Sequence, residues 1–360
     1  MGGNTYGRLF RMTTWGESHG KSLGVIIDGC PPGIKICEDD INKEMTLRKP
    51  KSDELSTSRR EEDRCEILSG VFEGKTLGTP ISLIIENKDV DSSSYEKIKG
   101  IFRPGHADYT YFKKYGFYDY RGGGRASGRE TVGRVAAGAV ARTVLKSEIK
   151  NFDLFSYTKA IGNIRIPEID HKSLKREEII KDSLWCPDKK SSDEMVQQIL
   201  EARSKGESVG GIVEIVAKNV PSGLGEPVFD KLEADIGKGL LSIGAVKGVE
   251  FGRGFELSAL YGSESNDQMT PRGFLTNRSG GIIGGISSGE DIIVRVAVKP
   301  IPSISKKQKT TDINGKERFI EIGGRHDPCA IPRINPVCEA MVAVTLLDHL
   351  LMQKAIGGVK

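Results

Sequence analysis

Glycine is the residue that most limits how this chain can fold. The 360 residues include 44 glycines, about 12% where about 7% is usual. They fall in discrete clusters between apolar segments, at 122–124, 210–211, 280–281, 284–285 and 323–324. Glycine allows positive φ and lets the backbone approach a ligand closely. The sequence therefore predicts tight loops between short apolar elements, and a site built largely from main chain.

The apolar segments between these loops predict a mixed α and β protein. Four β-branched runs of strand length, bounded by Gly, Pro, Asn or Asp, predict strands at 23–28, 80–86, 211–216 and 291–298. Apolar residues at helical spacing predict three helices, at 131–150, 192–205 and 336–354. The last of these is expected to open on Pro336, because proline is favoured in the first helical turn.

A short sequence pattern near the amino terminus recurs in the second half of the chain. Residues 20–24 lead into a predicted strand and then Pro-Pro-Gly at 31–33, and residues 206–210 lead likewise into a strand and Pro-Ser-Gly at 221–223. Chance and duplication both explain so short a match. We expect one domain, 1–360, with pseudo-symmetric halves. The polar stretches 171–193 and 303–315 are expected to be surface excursions or mobile flaps.

Composition narrows the class of protein. Charged residues make up 28% and hydrophobic residues 37%, which excludes a largely disordered or membrane-spanning chain. The amino terminus has no signal pattern, so we expect a reducing, cytoplasmic location. The net charge of +4 favours a small phosphorylated ligand over nucleic acid. The six cysteines lack metal or disulfide spacing, so we expect no metal site and structural thiols.

Three histidines in polar loops are candidates for proton transfer, since none of them lies on an apolar helical face. His19 stands in Gly-Glu-Ser-His-Gly, His106 in Arg-Pro-Gly-His-Ala-Asp, and His326 next to Asp327. A loop imidazole held by polar groups is suited to act as a general acid near neutral pH, and a satisfied core histidine is the alternative. His349 lies within the last predicted helix and is expected to be structural.

Arginines concentrate around the triple glycine at 122–124. Guanidinium groups grip phosphate or carboxylate, and glycine amides reach the same oxygens. The helix predicted from 131 would add the positive end of its dipole. The alternatives are an anion site and a solvated basic face, and we favour the anion site. The arginines are Arg121, Arg125, Arg129 and Arg134, with further pairs at Arg48 and Lys49 and at Arg59 and Arg60.

Taken together, these segments resemble the chorismate synthase family from Asn4 to about Leu351. The amino-terminal signature lies at 16–20 and continues through 23–24, 28–29 and 31–33. The central signature lies at 102–110 and 119–131, and the carboxy-terminal one at 324–329 with 339–341. Motifs of this length in this order are highly specific.

The resemblance implies an α+β fold: a β-α-β sandwich of two four-stranded antiparallel sheets around a helical core, assembled as a homotetramer. It implies a carbon–oxygen lyase that eliminates phosphate and the C6 hydrogen from 5-enolpyruvylshikimate 3-phosphate by an anti-1,4 route. The product is chorismate, in the seventh step of the shikimate pathway. The reaction requires reduced FMN and has no net redox change.

The resemblance also implies roles for individual residues. His19 would protonate the departing phosphate and His106 the flavin, while Asp327 with Ser127 would manage the proton at flavin N5. Substrate anions would be held by Arg48, Arg129 and Arg134. The flavin-contacting residues would be Arg125, Ala126, Ser127, Gly244, Ala245, Gly284, Lys299, Pro300, Ile301, Pro302, Ser303 and Arg325.

The chain departs from the family pattern in three places. Glu54 stands where a basic residue is usual, Gly128 where alanine is common, and Ile301-Pro302 where Thr-Ser is usual. The chain has no nucleotide fingerprint. We therefore expect an external flavin reductant, with NADPH used only indirectly, although a reductase consuming NADPH is an alternative. A binder of phosphate-rich polymers is a second alternative, and it predicts affinity that depends steeply on salt.

Overall fold

The protein is described by a computed structural model over residues 2–49, 55, 63–88, 93–96, 98–323 and 327–357. Its strands are β1 (Thr5–Tyr6), β2 (Arg11–Gly16), β3 (Ser22–Asp28), β4 (Cys65–Ile67), β5 (Val71–Phe72), β6 (Lys75–Thr76), β7 (Ile81–Glu86), β8 (Asp153–Ile161), β9 (Ile164–Arg165), β10 (Gly211–Lys218), β11 (Val246–Phe251), β12 (Met269–Thr270), β13 (Gly273–Phe274), β14 (Ile282–Ile283), β15 (Ile286–Ser287), β16 (Ile292–Val298), β17 (Gln308–Thr311) and β18 (Glu317–Ile320). Its helices are α1 (Glu38–Leu47), α2 (Ser93–Glu96), α3 (Asp108–Tyr115), α4 (Thr131–Glu148), α5 (Arg176–Ile179), α6 (Lys189–Ser204), α7 (Leu232–Leu241), α8 (Gly262–Ser265) and α9 (Ile331–Ala355).

Two antiparallel sheets form the outer layers. The first has the strand order β1-β2-β3-β7-β4 and the second β9-β8-β10-β16-β11. Side chains on a strand alternate between faces, and in β7 the residues Ile81, Leu83 and Ile85 are fully buried while those between them are less so. The predicted α+β sandwich is confirmed. Each sheet also has a fifth, two-residue strand at its edge, β1 or β9, beyond the four that the resemblance implies.

Two long helices fill the space between the sheets. Helix α4 contacts β2, β3 and β7 of the first sheet, helix α9 contacts β8 and β10 of the second, and α4 and α9 pack on each other. Their close approach depends on Gly138, because a β-carbon there would overlap Ala340. Helix α1 packs on α4, and α7 packs on α9.

The two halves repeat one order of elements. The series β2-β3-α1-β4-β7-α4 corresponds to β8-β10-α7-β11-β16-α9, and corresponding strands take the same positions in their sheets. Thr76 donates to the Pro31 carbonyl at 2.6 Å, and Ser287 donates to the Pro221 carbonyl at 2.6 Å. Each hydroxyl also accepts from the amide three residues beyond that proline, at 3.0 and 2.9 Å. The predicted pseudo-symmetry is therefore confirmed down to single hydrogen bonds.

The four predicted strands and the first two predicted helices are present, with small shifts at their ends. The start of the third helix was wrongly predicted, because α9 begins at Ile331 and contains Pro336 in its interior. Pro332, in the first turn, is the proline that opens the helix. By length and composition α9 could cross a membrane, but 94% of its most apolar 18-residue stretch is buried within the protein. It is the core helix of the second half.

The segment 171–193 is packed against the protein rather than projecting from it, which corrects the expected flap. Ile179, Leu184 and Trp185 are each at most 2% exposed. Arg176 forms ion pairs with Glu44 on α1 and Glu339 on α9. The segment 303–315, in contrast, leads into a surface hairpin in which β17 pairs with β18. All six cysteines are free thiols, and five of them are buried.

Candidate active site

A cleft of about 1160 Å³ is lined by residues of both halves of the chain. Its lining comes from residues 122 and 125–131 with strands β1 and β2, and from residues 241–247, 299, 301–303 and the start of α9. Among the described lining residues, eleven are Arg or Lys and five are Asp or Glu. The cleft is therefore strongly electropositive, as binding of a multiply charged anion requires.

The triple glycine brings two of the predicted histidines to neighbouring positions. Gly122 and Gly123 have φ of 61° and 89°, which L side chains rarely adopt. A β-carbon on Gly122 would overlap the ring of His19, and one on Gly123 would lie 2.5 Å from Cε1 of His106. The two imidazoles, 87 positions apart in sequence, thus meet the same turn.

His106 is oriented by a buried ion pair. Its Nδ1 lies 2.8 Å from Oδ1 of Asp108, and Arg103 forms two hydrogen bonds to the same carboxylate, each 2.7 Å long. Burial alone would raise the pKa of Asp108, but Arg103 and His106 hold it far below its usual range. Nδ1 also lies 3.1 Å from Nη2 of Arg103. Because the ionised carboxylate at the shorter distance only accepts hydrogen bonds, we assign the proton on Nδ1 to the contact with Asp108.

His19 lies behind Gly122 and is 7% exposed. Its Nδ1 is 3.1 Å from Oγ of Ser18, and its ring meets the ring of Tyr95 edge-on at 5.3 Å. Gly122 lines the cleft, whereas His19 is not among the described residues that do. Access from the cleft to this imidazole therefore runs past a residue that has no side chain.

Two of the predicted anion-binding arginines share one carboxylate. Asp63 accepts from Nη2 of Arg48 at 2.6 Å and also from Nη1 of Arg129. Burial alone would raise the pKa of Asp63, but the two guanidinium groups outweigh it and hold the pKa at about 2. Sequence reasoning missed Asp63, because an acid at the end of a charged run resembles a solvated surface residue.

The third predicted arginine is held in a similar way by Glu130, which sequence reasoning also missed. Glu130 accepts from Nε of Arg134 at 2.8 Å and from the hydroxyl of Thr14 at 2.7 Å. Arg125 donates to the carbonyls of Gly16 and Thr14, at 3.2 and 3.1 Å. Arg121 pairs with Asp119 outside the cleft lining.

Several residues with short side chains also line the cleft. Gly244 and Ala245 line it, and Lys299 donates from its amide to the Ala245 carbonyl and from Nζ to the Gly105 carbonyl, both at 2.9 Å. Ser127 accepts from the amide of Arg129 at 3.3 Å. Asp327 pairs with Arg333 at 2.7 Å.

The structure brings most of the predicted site residues into this one cleft. The lining includes Arg48, His106, Arg125, Ala126, Ser127, Arg129, Arg134, Gly244, Ala245, Lys299, Ile301, Pro302, Ser303 and Asp327. Pro300 is not among the described lining residues, and Gly284 lies in the turn between β14 and β15, also outside the lining. Glu54, Arg59, Arg60, Arg325 and His326 lie outside the described residues.

Fold and cleft define an α+β enzyme whose electropositive site is assembled from two pseudo-symmetric halves. A family model described as chorismate synthase matches residues 10–351. The chain is 55% identical over 356 residues to a chorismate synthase of Syntrophus aciditrophicus (strain SB), with 99% of each covered. It is 56% identical over 358 residues to one of Desulfosudis oleivorans, again with 99% of each covered.

A crystal structure of a chorismate synthase is similar to this chain over nearly its whole length. Its TM-score is 0.77 at 33% sequence identity, covering 96% of this chain and 93% of that one. The chain belongs to the chorismate synthase family, whose members are carbon–oxygen lyases.

Proposed function

We propose that this chain converts 5-enolpyruvylshikimate 3-phosphate to chorismate by anti-1,4-elimination of phosphate and the C6 hydrogen, with reduced FMN and no net redox change. The observation that carries the proposal is the pair of imidazoles, His19 and His106, against one glycine turn beside an electropositive cleft. An elimination that releases phosphate needs both cations to hold the anions and acids to supply protons.

The cleft fits a flavin beside its residues with short side chains. Ala126, Ser127, Gly244 and Ala245 have side chains small enough to leave room for a planar ring, and Lys299 adds a positive charge for its phosphate. When bound, reduced FMN supplies an electron transiently to the substrate and recovers it. The remaining predicted contacts, Pro300, Gly284 and Arg325, stay proposals that rest on the family resemblance.

The substrate's phosphate and two carboxylates match the cations that line the cleft. We assign Arg48, Arg129 and Arg134 to these anions, because all three line the cleft and each is oriented by a buried carboxylate. Guanidinium groups bind both phosphate and carboxylate with two parallel hydrogen bonds, so orientation matters as much as charge. The excess of cations in the lining favours a ligand with several negative charges.

The two histidines are assigned as the acids. His19 protonates the departing phosphate, and His106, whose Nδ1 proton is held by Asp108, protonates the flavin through its other ring nitrogen. Asp327 and Ser127 manage the proton at flavin N5. Arg333 holds the Asp327 carboxylate at 2.7 Å, which supports a fixed orientation for that group.

The wider assignment follows the same resemblance. We propose a single domain that works as a cytoplasmic homotetramer, without nucleic acid or membrane partners. We also propose that the flavin is reduced by an external reductant, so that NADPH acts only indirectly. Oxidation of NADPH by the purified protein and FMN, with no reductase added, would contradict this last point.

An anaerobic assay with 5-enolpyruvylshikimate 3-phosphate and chemically reduced FMN tests the proposal. Chorismate absorbance and phosphate release should rise equally, and neither should rise with oxidised FMN. His19→Ala and His106→Ala should each lower kcat by roughly 10²- to 10⁴-fold, the usual range for loss of a general acid. His171→Ala is the matched control, because His171 pairs with Asp291 outside the cleft lining. Folded, flavin-binding protein that forms no product would overturn the proposal.

A further inference from the structure

Three buried side chains from separate segments meet at Asp63. Arg48 caps the carboxyl end of α1, Asp63 precedes β4, and Arg129 lies just before α4. Their side chains are 3%, 3% and 4% exposed. The carboxylate accepts from both guanidinium groups, one at each oxygen. This contact joins segments that are 15 and 66 positions apart in sequence.

Two guanidinium groups at this burial repel each other unless a counter-charge lies between them. Asp63 supplies that charge and leaves the pair with one net positive charge. It does so with a single N–H from each arginine. Arg129 also donates from Nε to Asn87 and from Nη2 to the Glu86 carbonyl. Nε of Arg48 is buried and has no hydrogen-bond partner within the described part of the chain. Arg48, which lines the cleft, therefore keeps a donor that the carboxylate does not use.

We propose that Asp63 is a positioning residue, which holds Arg48 and Arg129 in the orientation that receives the anionic groups of the substrate. The identity of that substrate rests on the proposed function above. Asp63 acts through the two arginines, so its replacement should weaken binding of the anion more than it slows the chemical step. The flavin contacts proposed above involve other residues, so affinity for FMN should not change.

Equilibrium binding of shikimate 3-phosphate provides a test that does not need turnover, because this molecule carries both a phosphate and a carboxylate. Asp63→Asn removes the charge at nearly constant shape, and we expect its Kd to rise roughly 10- to 100-fold, as expected for guanidinium groups displaced by about 1 Å. Asp63→Glu retains the charge and should recover part of the affinity. Oxidised FMN should bind both variants as it binds wild type, and KM for the substrate should rise more than kcat falls.

Glu214→Gln is the matched control. Glu214 is a buried carboxylate that accepts from Tyr157 and Arg295 and does not line the cleft. It should lower stability without changing the Kd for shikimate 3-phosphate. Equal or tighter binding by folded Asp63→Asn would overturn the proposal, since Asp63 would then oppose the ligand rather than prepare its site. If Asp63→Asn does not fold, Asp63→Ser, which also removes the charge, replaces it, and wild-type affinity in folded Asp63→Ser would overturn the proposal.

Failure of the proposed function would give a different result from failure of the proposed role of Asp63. Wild-type protein that binds shikimate 3-phosphate but forms no chorismate would contradict the assigned reaction, while the ratio of Kd values between wild type and Asp63→Asn would still decide the role of Asp63.

Discussion

Gly123 lies so close to the imidazole of His106 that a β-carbon on Gly123 would stand 2.5 Å from His106 Cε1. The same glycine has a φ of 89°, in the region that L side chains rarely adopt. Glycine is therefore required at this position for space as well as for backbone conformation. Either requirement alone would cost stability, but only the first displaces a proposed acid.

Replacing Gly123 with alanine separates the two requirements. We expect kcat to fall by on the order of 10²-fold, because a shift of about 1 Å in a reacting group has that effect. We expect the free energy of unfolding to fall by about 1–2 kcal/mol from the left-handed backbone. Steady-state kinetics and urea unfolding measure the two effects.

Gly116→Ala is the matched control, since Gly116 has a φ of 72° and no atom within 4 Å of an added β-carbon. It should show a similar loss of stability with kcat close to wild type. Comparable loss of kcat in both variants would mean that backbone strain, rather than contact with His106, explains the first result.

Asp63 should make stability depend on pH in the acid range. Its pKa is about 2 in the folded protein, below the roughly 3.9 of an unfolded aspartate. A lowered pKa contributes stability that is complete above the unfolded value and is lost as pH falls through the folded value. The contribution is on the order of 2 kcal/mol, and about half of it is lost by pH 3.

Urea unfolding at pH 5 and pH 3 tests this, with Asp63→Asn as the comparison. Wild type should lose on the order of 1 kcal/mol more than the variant between the two pH values. The other carboxylates with lowered pKa, such as Asp108, are present in both proteins and cancel. Equal losses would show that Asp63 does not titrate in this range.

Arg176 should contribute strongly to the stability of the fold, because its ion pairs connect α5 to α1 and to α9. It pairs with Glu44 at 2.6 Å and with Glu339 at 2.7 Å, and its side chain is 11% exposed. Arg176→Met leaves Glu44 without this partner and weakens the pairing of Glu339, so we expect the free energy of unfolding to fall by about 3–5 kcal/mol. Thermal and urea unfolding measure it.

The neighbouring exposed pair provides the control for Arg176. Lys181 pairs with Glu178 at 2.9 Å, and both side chains are more than half exposed. Lys181→Met should leave the unfolding transition unchanged, because solvent screens such pairs. A small effect of Arg176→Met would mean that burial of apolar residues such as Trp185, rather than these ion pairs, holds the segment 171–193 in place.

The elements with clear periodicity could be predicted from the sequence. The β-branched run that became β10 and the apolar face of α4 are signals of local sequence, so their positions were correct within a few residues. Pro336 misled the prediction, because proline marks a helix start more often than an interior turn. Pro336 removes one backbone hydrogen bond from α9. The packing of α9 on α4 and on strands β8 and β10 makes up for that loss.

The carboxylates of the site could not be predicted in the same way. Asp63 and Glu130 are recognisable only by the arginines and the threonine that reach them, and some of these partners are 66 or 116 positions away. Nothing in the neighbouring residues distinguishes them from solvated acids. The histidines were easier to find, because glycine and proline in the surrounding loops already exclude an apolar helical face.

Thr76 and Ser287 should each contribute a similar amount to the stability of the half in which it lies. Each donates to a proline carbonyl and accepts from an amide three residues beyond that proline, and they are 2% and 3% exposed. Thr76→Val and Ser287→Ala each leave a carbonyl and an amide that are at least partly buried without this partner. We expect each to lower the free energy of unfolding by about 1–3 kcal/mol, the cost of unsatisfied buried groups.

The double variant tests whether these two hydrogen-bonded turns stabilise their halves independently. Because Thr76 and Ser287 belong to different halves and share no hydrogen-bond partner, the two losses should add. Thr5→Val is the control, since the Thr5 hydroxyl meets that of Thr13 at an exposed edge, and it should leave stability unchanged. A large loss in one variant and none in the other would mean that the halves share strand order without sharing the energetics of this turn. Similar losses would mean that the repeated turn stabilises both halves to a similar degree, as the sequence similarity between residues 20–33 and 206–223 predicts.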